Sequence, residues 1–222
     1  MKSLWVIGFT AITSLISCAQ NNKQDKKMTT TTNNATSTSP FTGKTDTATL
    51  GTGCFWCTEA IFEQLEGVLS VTSGYSGGHI DNPSYEEVSD HGTGHAECAQ
   101  IVYDPSRITF DELLEVFWQV HDPTTLNRQG ADVGPQYRSV IFYHDNEQKQ
   151  KAEKYKDELN KNGAFDNPIV TTLEPYTKFY SAEAYHQEYY ANNKNKNPYC
   201  SIVIRPKLEK FEKVFKDKLK KN

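Results

Sequence analysis

The stretch DTATLGTGCFWCTEAIFEQLEG at residues 46–67 combines a strand signal, a glycine turn and a helix signal. Residues 47–52 are mostly apolar or β-branched, which is typical of a short strand. Beyond the turn, four residues follow the i, i+3, i+4, i+7 spacing of a helix: Thr58, Ile61, Phe62 and Leu65. We therefore expect a strand that leads through Gly51-Thr52-Gly53 into a helix ending before Gly67, with Cys54 at the junction.

Outside this stretch, predicted strands and helices alternate along the chain. Apolar or alternating runs predict strands at residues 69–75, 97–103, 139–143 and 169–173. Capping residues and apolar stripes predict helices at residues 110–118, 145–162 and 182–190. Glycine-containing loops span residues 79–95 and 127–136, and loops as long as the first are often functional. Because a strict β-α-β rhythm is missing, the sequence predicts an open sheet with helices on one side, α+β or mixed α/β.

The composition indicates one folded domain and excludes several classes of protein. A chain of 222 residues suits a single domain with an appendage. Twelve tyrosines and eleven phenylalanines supply an aromatic core, which excludes disorder throughout. The net charge of −4 gives no overall positive field to bind nucleic acid. Five unevenly spaced cysteines are too few for a disulfide scaffold, so thiol chemistry is the better interpretation.

The first residues have the pattern of an export signal. Residues 1–17 carry one charged side chain, Lys2, and an apolar run over residues 4–16 that is too short to cross a membrane. The run ends in Leu15-Ile16-Ser17-Cys18, which resembles a bacterial lipobox, with cleavage before Cys18 and lipid attached to it. We expect an exported lipoprotein, anchored on the periplasmic or cell-envelope side. An ordinary signal peptide with an incidental cysteine is the alternative.

The segments that flank the domain core are polar. Residues 18–45 are rich in Thr, Asn, Ser and Lys, so we expect a flexible tether, followed by a folded domain over residues 46–222. Residues 205–222 hold eight basic and three acidic side chains. Apolar residues recur there at helical spacing: Leu208, Phe211, Val214, Phe215 and Leu219. We expect an amphipathic helix docked on the domain, and contact of its lysines with anionic lipid is the alternative.

Cys54 is the best candidate for a nucleophile. At the N-terminus of a helix, the helix dipole and the free N–H groups both favour a thiolate, so we expect a lowered pKa. A small buried core residue is the alternative, since that is the usual environment of a free cysteine. Cys57 completes a C-x-x-C motif, which occurs in thioredoxin-like redox sites and, with histidines such as His91 and His95, in zinc sites. The long separation from these histidines makes zinc the weaker interpretation.

Ordered motifs between about residues 50 and 205 carry a resemblance to a known family. They are Gly53-Cys54-Phe55-Trp56 followed by Glu59, Gly74-Tyr75-Ser76-Gly77-Gly78, Asn82-Pro83-Ser84-Tyr85, Gly94-His95-Ala96-Glu97, Gln136-Tyr137-Arg138-Ser139 and Tyr185-His186-Gln187. This set resembles peptide methionine sulfoxide reductase of the A type. The resemblance implies a ferredoxin-like α+β sandwich, that is, an α/β fold with a central mixed sheet and helices packed on it.

The resemblance also implies an activity. Methionine S-sulfoxide, free or in oxidised proteins, would be reduced to methionine through a cysteine sulfenic acid and an intramolecular disulfide. Thioredoxin or a thioredoxin-like protein would supply the electrons, and no metal cofactor would be needed. An exported enzyme would need an exported donor, because a cytosolic thioredoxin cannot reach it. We expect a monomer that binds no nucleic acid.

Residue roles follow from the resemblance and from the chemistry of a sulfoxide. Cys54 would attack the sulfur, and Glu97, kept protonated by an apolar site, would supply a proton to the leaving oxygen. Tyr85 and Tyr137 would donate hydrogen bonds to the same oxygen. The remaining assignments concern substrate binding: Phe55 and Trp56 would contact the S-methyl group, and Asp132 and His186 would form a polar network around the pocket.

A second thiol must condense with the sulfenic acid before the enzyme can be recycled. Cys200, in Asn197-Pro198-Tyr199-Cys200, matches a C-terminal resolving cysteine and is our expected resolver. Cys57 is the alternative, although the i, i+3 spacing on an intact helix is poor geometry for a bridge. A relay through Cys57 to Cys200 is also possible. Cys98 follows Glu97 on an alternating strand and would point to the opposite face, as a structural cysteine.

Two other classes of function compete with the reductase. A general thiol–disulfide oxidoreductase would use Cys54 and Cys57, but the bulky Phe55-Trp56 pair between them argues against it. A non-catalytic surface-binding lipoprotein is the third class.

Overall fold

A six-stranded sheet forms the centre of the computed structural model, which describes residues 43–221. The expected signal peptide, Cys18 and most of the tether therefore lie outside the described residues. In chain order the strands are β1 (Asp46–Thr52), β2 (Val68–Ser76), β3 (Ala96–Tyr103), β4 (Arg128–Gln129), β5 (Asp132–Val133), β6 (Ser139–Tyr143), β7 (Thr172–Pro175) and β8 (Phe179–Ser181). The short β4 and β5 pair with each other, apart from the main sheet.

Six α-helices accompany the strands within the described residues. They are α1 (Phe55–Phe62), α2 (Tyr85–Ser89), α3 (Phe110–Val120), α4 (Asn146–Lys161), α5 (Tyr189–Asn193) and α6 (Arg205–Val214). The expected capping box begins α3, where the Thr109 hydroxyl accepts from the Glu112 N–H and the Glu112 carboxylate accepts from the Thr109 N–H. None of the helices in residues 43–221 is long and apolar enough to cross a membrane.

The main sheet is mixed, with the strand order β7-β6-β1-β3-β2-β8. Neighbouring strands are antiparallel except for β6 and β7, which are parallel. Residues from β1, β3 and β6 pack against α1, α3, α4 and α6 in the largest apolar core. A mixed sheet with helices packed on it confirms the predicted α/β fold class.

The alternation along β3 separates two neighbouring residues. Glu97 faces the same side as Ala99, toward the helices, whereas Cys98 packs with Val140 and Phe142 on the opposite face. The Cys98 thiol is fully buried and lies 3.7 Å from the Gly74 carbonyl oxygen, to which it donates. Cys98 is therefore remote from the face that carries the helices.

Two of the predicted elements are wrong in detail. The strand expected at residues 169–173 is paired only from Thr172, because the N–H groups of Ile169 and Val170 donate to the Asn160 side chain and the Pro123 carbonyl instead. The helix expected at 182–190 is broken into a 3₁₀ turn, Ala184–His186, and α5. Glu188, between them, has the left-handed φ of 49°, which a continuous right-handed helix cannot contain.

The C-terminal helix is shorter than the apolar spacing predicts. It ends at Val214, whose side chain is half exposed, while Leu208, Phe211 and Phe215 are buried as expected. Leu219 lies beyond the helix and forms a β-bridge with Leu65. The chain therefore folds back onto the end of α1, which brings α6 close to that helix.

Candidate active site

A small cavity of about 170 Å³ brings together most of the predicted site residues. Its lining consists of Cys54, Phe55, Trp56, Tyr85, Glu97, Asp132, Tyr137 and Tyr199. Seven of these were predicted from sequence, and they come from segments far apart in the chain. A larger cavity of about 670 Å³ between α3 and α4 has no cysteine in its lining. The smaller cavity is therefore the candidate active site, because it alone of the two contains a nucleophile.

The turn between β1 and α1 sets the position of Cys54. Gly53 has a φ of +93°, and an added Cβ there would lie 2.5 Å from the Gln129 Cβ, so both conformation and space require glycine. Cys54 itself is the N-cap of α1, with a non-helical ψ of 122°. Its carbonyl oxygen accepts from the N–H groups of Cys57 and Thr58. The thiol therefore sits at the start of the helix, as the sequence pattern predicts.

Burial reverses the expected ionisation of Cys54. The side chain is 5 % exposed, and desolvation raises the pKa of its thiol well above the ordinary value. A hydrogen bond and charge repulsion from Cys57 raise this pKa further. The expectation of a lowered pKa was therefore wrong, because loss of water outweighs the field of a helix only eight residues long.

Glu97 extends from β3 into the cavity and is also buried. Its Oε2 accepts a hydrogen bond of 3.0 Å from the Phe55 N–H at the start of α1. Burial nevertheless raises the pKa of this carboxyl to about 8, against the lowering effect of that hydrogen bond. Glu97 is therefore mostly protonated at neutral pH, and the pocket holds an acid beside the Cys54 thiol.

Three tyrosines surround the cavity. Tyr85 begins α2, where its N–H donates to Glu183 Oε1 at 2.9 Å, and Tyr137 ends the 3₁₀ turn Pro135–Tyr137. Burial raises the pKa of both phenols, so both remain hydrogen-bond donors. Tyr199 was not predicted from the sequence, although it precedes Cys200. Its hydroxyl donates to Asp132 Oδ2 at 2.7 Å, which holds both side chains at the cavity.

An aromatic wall forms another side of the cavity. The Trp56 indole stacks on Tyr189 with ring centroids 3.7 Å apart, and its Nε1 donates to His186 Nδ1 at 3.1 Å. Burial lowers the pKa of His186, which favours the neutral ring that can accept this bond. The His186 ring also lies 5.1 Å from the Phe55 ring. His186 therefore supports the wall from behind and does not line the cavity, and Tyr189 is a second residue that the sequence did not reveal.

Comparison with known proteins agrees with this site. Residues 46–219 match the family described as Peptide methionine sulfoxide reductase. The chain belongs to the peptide methionine sulfoxide reductase family. It is an enzyme that reduces methionine sulfoxide to methionine, as the sequence motifs implied.

Two curated relatives of this reductase are similar over most of their length. The peptide methionine sulfoxide reductase MsrA 1 of Rhodopirellula baltica is 57% identical over 175 residues, which cover 79% of this chain and 90% of the relative. The MsrA of Saccharolobus solfataricus is 54% identical over 175 residues, covering 79% of this chain and 97% of the relative. The similarity spans the folded domain of the reductase.

Solved structures share the fold of the reductase. Mxr1 from Saccharomyces cerevisiae in reduced form is 36% identical, with a TM-score of 0.64 over 69% of this chain and 88% of that one. Methionine sulfoxide reductase A of Corynebacterium diphtheriae is 35% identical, with a TM-score of 0.61 over 69% of this chain and 78% of that one.

The other cysteines of the reductase within the described residues do not line the cavity. Cys57 is 2% exposed, faces the core from α1 and lies close enough to Cys54 for each thiol to shift the pKa of the other. Cys200, our expected resolver, is fully buried at the start of a π-helical turn, Cys200–Ile204, and burial raises the pKa of its thiol. All four cysteines within residues 43–221 are free thiols.

The histidines considered for zinc are used differently. The His95 ring accepts from the Gly78 N–H at 3.1 Å through Nδ1, and its Nε2 lies 2.8 Å from the Ile80 carbonyl oxygen. Cys57 faces the apolar core from α1. In the part of the chain that the structure describes, no three His, Cys, Asp or Glu side chains are grouped closely enough to bind a metal ion.

Proposed function

We propose that this reductase acts on the S epimer of methionine sulfoxide, free or in oxidised proteins, through a sulfenic acid on Cys54. The observation that carries the proposal is the Cys54 thiol beside a buried, neutral Glu97 carboxyl in one cavity. The substrate S–O bond breaks, and Cys54–SH becomes Cys54–SOH. The substrate sulfur is reduced by two electrons and the cysteine sulfur is oxidised by two, so the first half-reaction is balanced.

Glu97 acts as the general acid in this step. As Cys54 attacks the sulfur, Glu97 donates its proton to the sulfoxide oxygen, and the proton of the thiol restores the neutral acid. Tyr85 and Tyr137 donate hydrogen bonds to the same oxygen, since burial keeps both phenols protonated. A neutral Glu97 also avoids the repulsion that an ionised carboxylate would exert on the developing Cys54 thiolate.

The aromatic wall binds the S-methyl group. Phe55 and Trp56 present apolar surface to the cavity, and Tyr189 and His186 hold the indole in place through stacking and a hydrogen bond. Asp132, held by Tyr199, supplies the polar side of the pocket.

Recycling requires a second thiol and an external reductant. Either Cys57 or Cys200 condenses with the sulfenic acid to form a disulfide and water. A thioredoxin-type dithiol protein, the donor that membership of this family implies, then reduces the disulfide by thiol exchange. No metal cofactor takes part, because sulfur supplies both the nucleophile and the electrons.

We further propose that the enzyme is an exported lipoprotein that acts as a monomer. The support for export is the apolar run and lipobox-like Leu15-Ile16-Ser17-Cys18, followed by the polar stretch at residues 18–45. The cavity is lined by residues of one chain, so no second copy is needed to complete it. In that location the donor is an exported thioredoxin-like protein.

Cys18→Ala is expected to abolish lipid attachment, because the thiol that would carry the lipid is gone. Metabolic labelling with a radioactive fatty acid, followed by immunoprecipitation, measures the effect. The matched control is Cys98→Ala, which removes a buried cysteine and keeps the label. Labelled Cys18→Ala protein would rule out the lipoprotein proposal.

Separated epimers of methionine sulfoxide test the proposed reaction. With a thioredoxin-like donor, the wild-type enzyme is expected to convert the S epimer and leave the R epimer unchanged, as measured by chiral chromatography of the remaining sulfoxide. Equal consumption of both epimers would contradict the proposed specificity, and no methionine from either would contradict the proposed substrate.

A further inference from the structure

Lys207 is a charged residue that approaches the second cysteine of the C-x-x-C motif. It lies in the first turn of α6 and is half-buried, and its Nζ is 3.9 Å from the Cys57 Sγ. Among the described residues, no carboxylate oxygen lies within 4.0 Å of this ammonium group. Lys207 therefore directs its charge at a thiol and takes no part in an ion pair there.

We propose that Lys207 stabilises the thiolate of Cys57 and thereby makes Cys57 the thiol that resolves the sulfenic acid on Cys54. This inference rests on the proposed function, since it concerns the second half-reaction of the same site. An ammonium group within 4 Å of a buried sulfur favours its ionised form, because little water is present to screen the charge. Among the described residues, no lysine makes such a contact with Cys200, and the charge of Arg205 only partly offsets the burial that raises the pKa of that thiol.

The backbone geometry of Cys54 weakens the main objection to Cys57. Poor bridge geometry is expected when both residues of an i, i+3 pair belong to an intact helix. Cys54, however, is the N-cap, with a ψ of 122°, and only Cys57 is inside α1. Only one of the two residues is therefore held in the helical conformation. The two thiols are close enough for each to shift the pKa of the other.

The electrostatic surroundings of Cys57 agree with this role. While Cys54 is a thiol, its hydrogen bond lowers the pKa of the Cys57 thiol, burial opposes this, and the charge of Lys207 lowers the pKa further. The effect of Lys207 does not depend on the Cys54 thiol and remains after Cys54 is oxidised. By contrast, the thiol pKa values of Cys54, Cys98 and Cys200 are raised overall, because burial is the largest effect on each of them. Cys57 interacts electrostatically or through hydrogen bonds with six titratable or charged groups: Cys54, Lys207, Asp132, Tyr199, Glu97 and Cys200.

The resolving step is a balanced condensation. The Cys57 thiolate attacks the Cys54 sulfur, an S–S bond forms, and the S–OH bond breaks. The hydroxide takes up a proton and leaves as water. The Cys57 sulfur is oxidised by one unit and the Cys54 sulfur is reduced by one unit, so no further oxidant is required.

The test separates the two half-reactions. Reduced full-length enzyme is mixed with one equivalent of methionine S-sulfoxide without donor. Methionine formation is followed by rapid quench, and the sulfenic acid is trapped with a cyclic dione and quantified by mass spectrometry. In Lys207→Met we expect methionine to form first while disulfide formation slows about tenfold near pH 7, because the neutral side chain no longer favours the Cys57 thiolate. The rate should recover as the pH is raised, because the thiol then ionises without help from the lysine.

Matched variants distinguish charge from packing. Lys207→Arg keeps the charge and is expected to resolve the sulfenic acid close to the wild-type rate. Lys213→Met removes an exposed lysine from the last turn of the same helix and is expected to behave as wild type. If Lys207→Met folds poorly, Lys207→Gln provides a second variant with a neutral side chain. Circular dichroism checks the fold of every variant.

Two results would overturn the inference. One is disulfide formation at the same rate in the neutral Lys207 variants and in Lys213→Met. The other is peptide mapping that finds Cys54 joined to Cys200, and not to Cys57, in the first bridge formed by the wild type. Failure of the wild type to form methionine at all would contradict the proposed function instead, so the two failures are distinguishable.

Discussion

Cys54→Ser is expected to lower the rate of methionine formation by about a thousandfold or more, which is the usual scale for loss of a catalytic nucleophile. A serine hydroxyl does not ionise at neutral pH and cannot form a sulfenic acid, so both attack and oxygen transfer are lost. Because serine is nearly the size of cysteine, the thermal unfolding midpoint should change little. Single-turnover formation of methionine from the S-sulfoxide, measured without donor, reports this step directly.

Cys98→Ala is the matched control for the loss of a thiol. Cys98 lies on the opposite face of the sheet, outside the cavity, and packs with Val140 and Phe142. The Cys98→Ala variant should form methionine at the wild-type rate, and circular dichroism should verify that it folds. Methionine formation by Cys54→Ser at a rate near that of the wild type would refute the assignment of the nucleophile.

Glu97→Gln is expected to slow the same single turnover by about 10² to 10⁴-fold, the range typical of general acid catalysis. The amide keeps the size of the side chain and an oxygen that can accept from the Phe55 N–H, but it has no acidic proton. The dependence of the single-turnover rate on pH provides a second test of this role. With a pKa of about 8, the wild-type acid is present below that pH and is lost above it, so the rate of the chemical step should fall as the pH rises through about 8. The Gln variant should lack that fall.

Tyr85→Phe and Tyr137→Phe are the comparators for this prediction. Each removes one of several hydrogen-bond donors to the sulfoxide oxygen, so each should cost less than the loss of the Glu97 proton. A Glu97→Gln rate within a few-fold of wild type would show that the tyrosines suffice as donors. A fall near pH 8 that persists in the variant would assign that titration to another group.

Local signals explain which elements could be predicted from the sequence. The apolar spacing after Gly53 and the capping box at Thr109 act within a few residues, and β1, α3 and the start of α1 formed where expected, although α1 ends at Phe62, before Leu65. The helix predicted at 182–190 failed because its pattern did not reveal the left-handed Glu188. The start of β7 was misplaced because distant partners engage the N–H groups of Ile169 and Val170.

The sequence by itself determined that Cys54 stands at the start of a helix and that Glu97 and Cys98 face opposite sides of a strand, because both follow from local backbone periodicity. Only the tertiary structure decided the protonation of the pocket and the contact of Lys207 with Cys57. A pKa depends on the loss of water and on charges within a few ångströms. The groups that determine it here lie up to 150 residues apart in the chain and meet only when α6 packs beside α1.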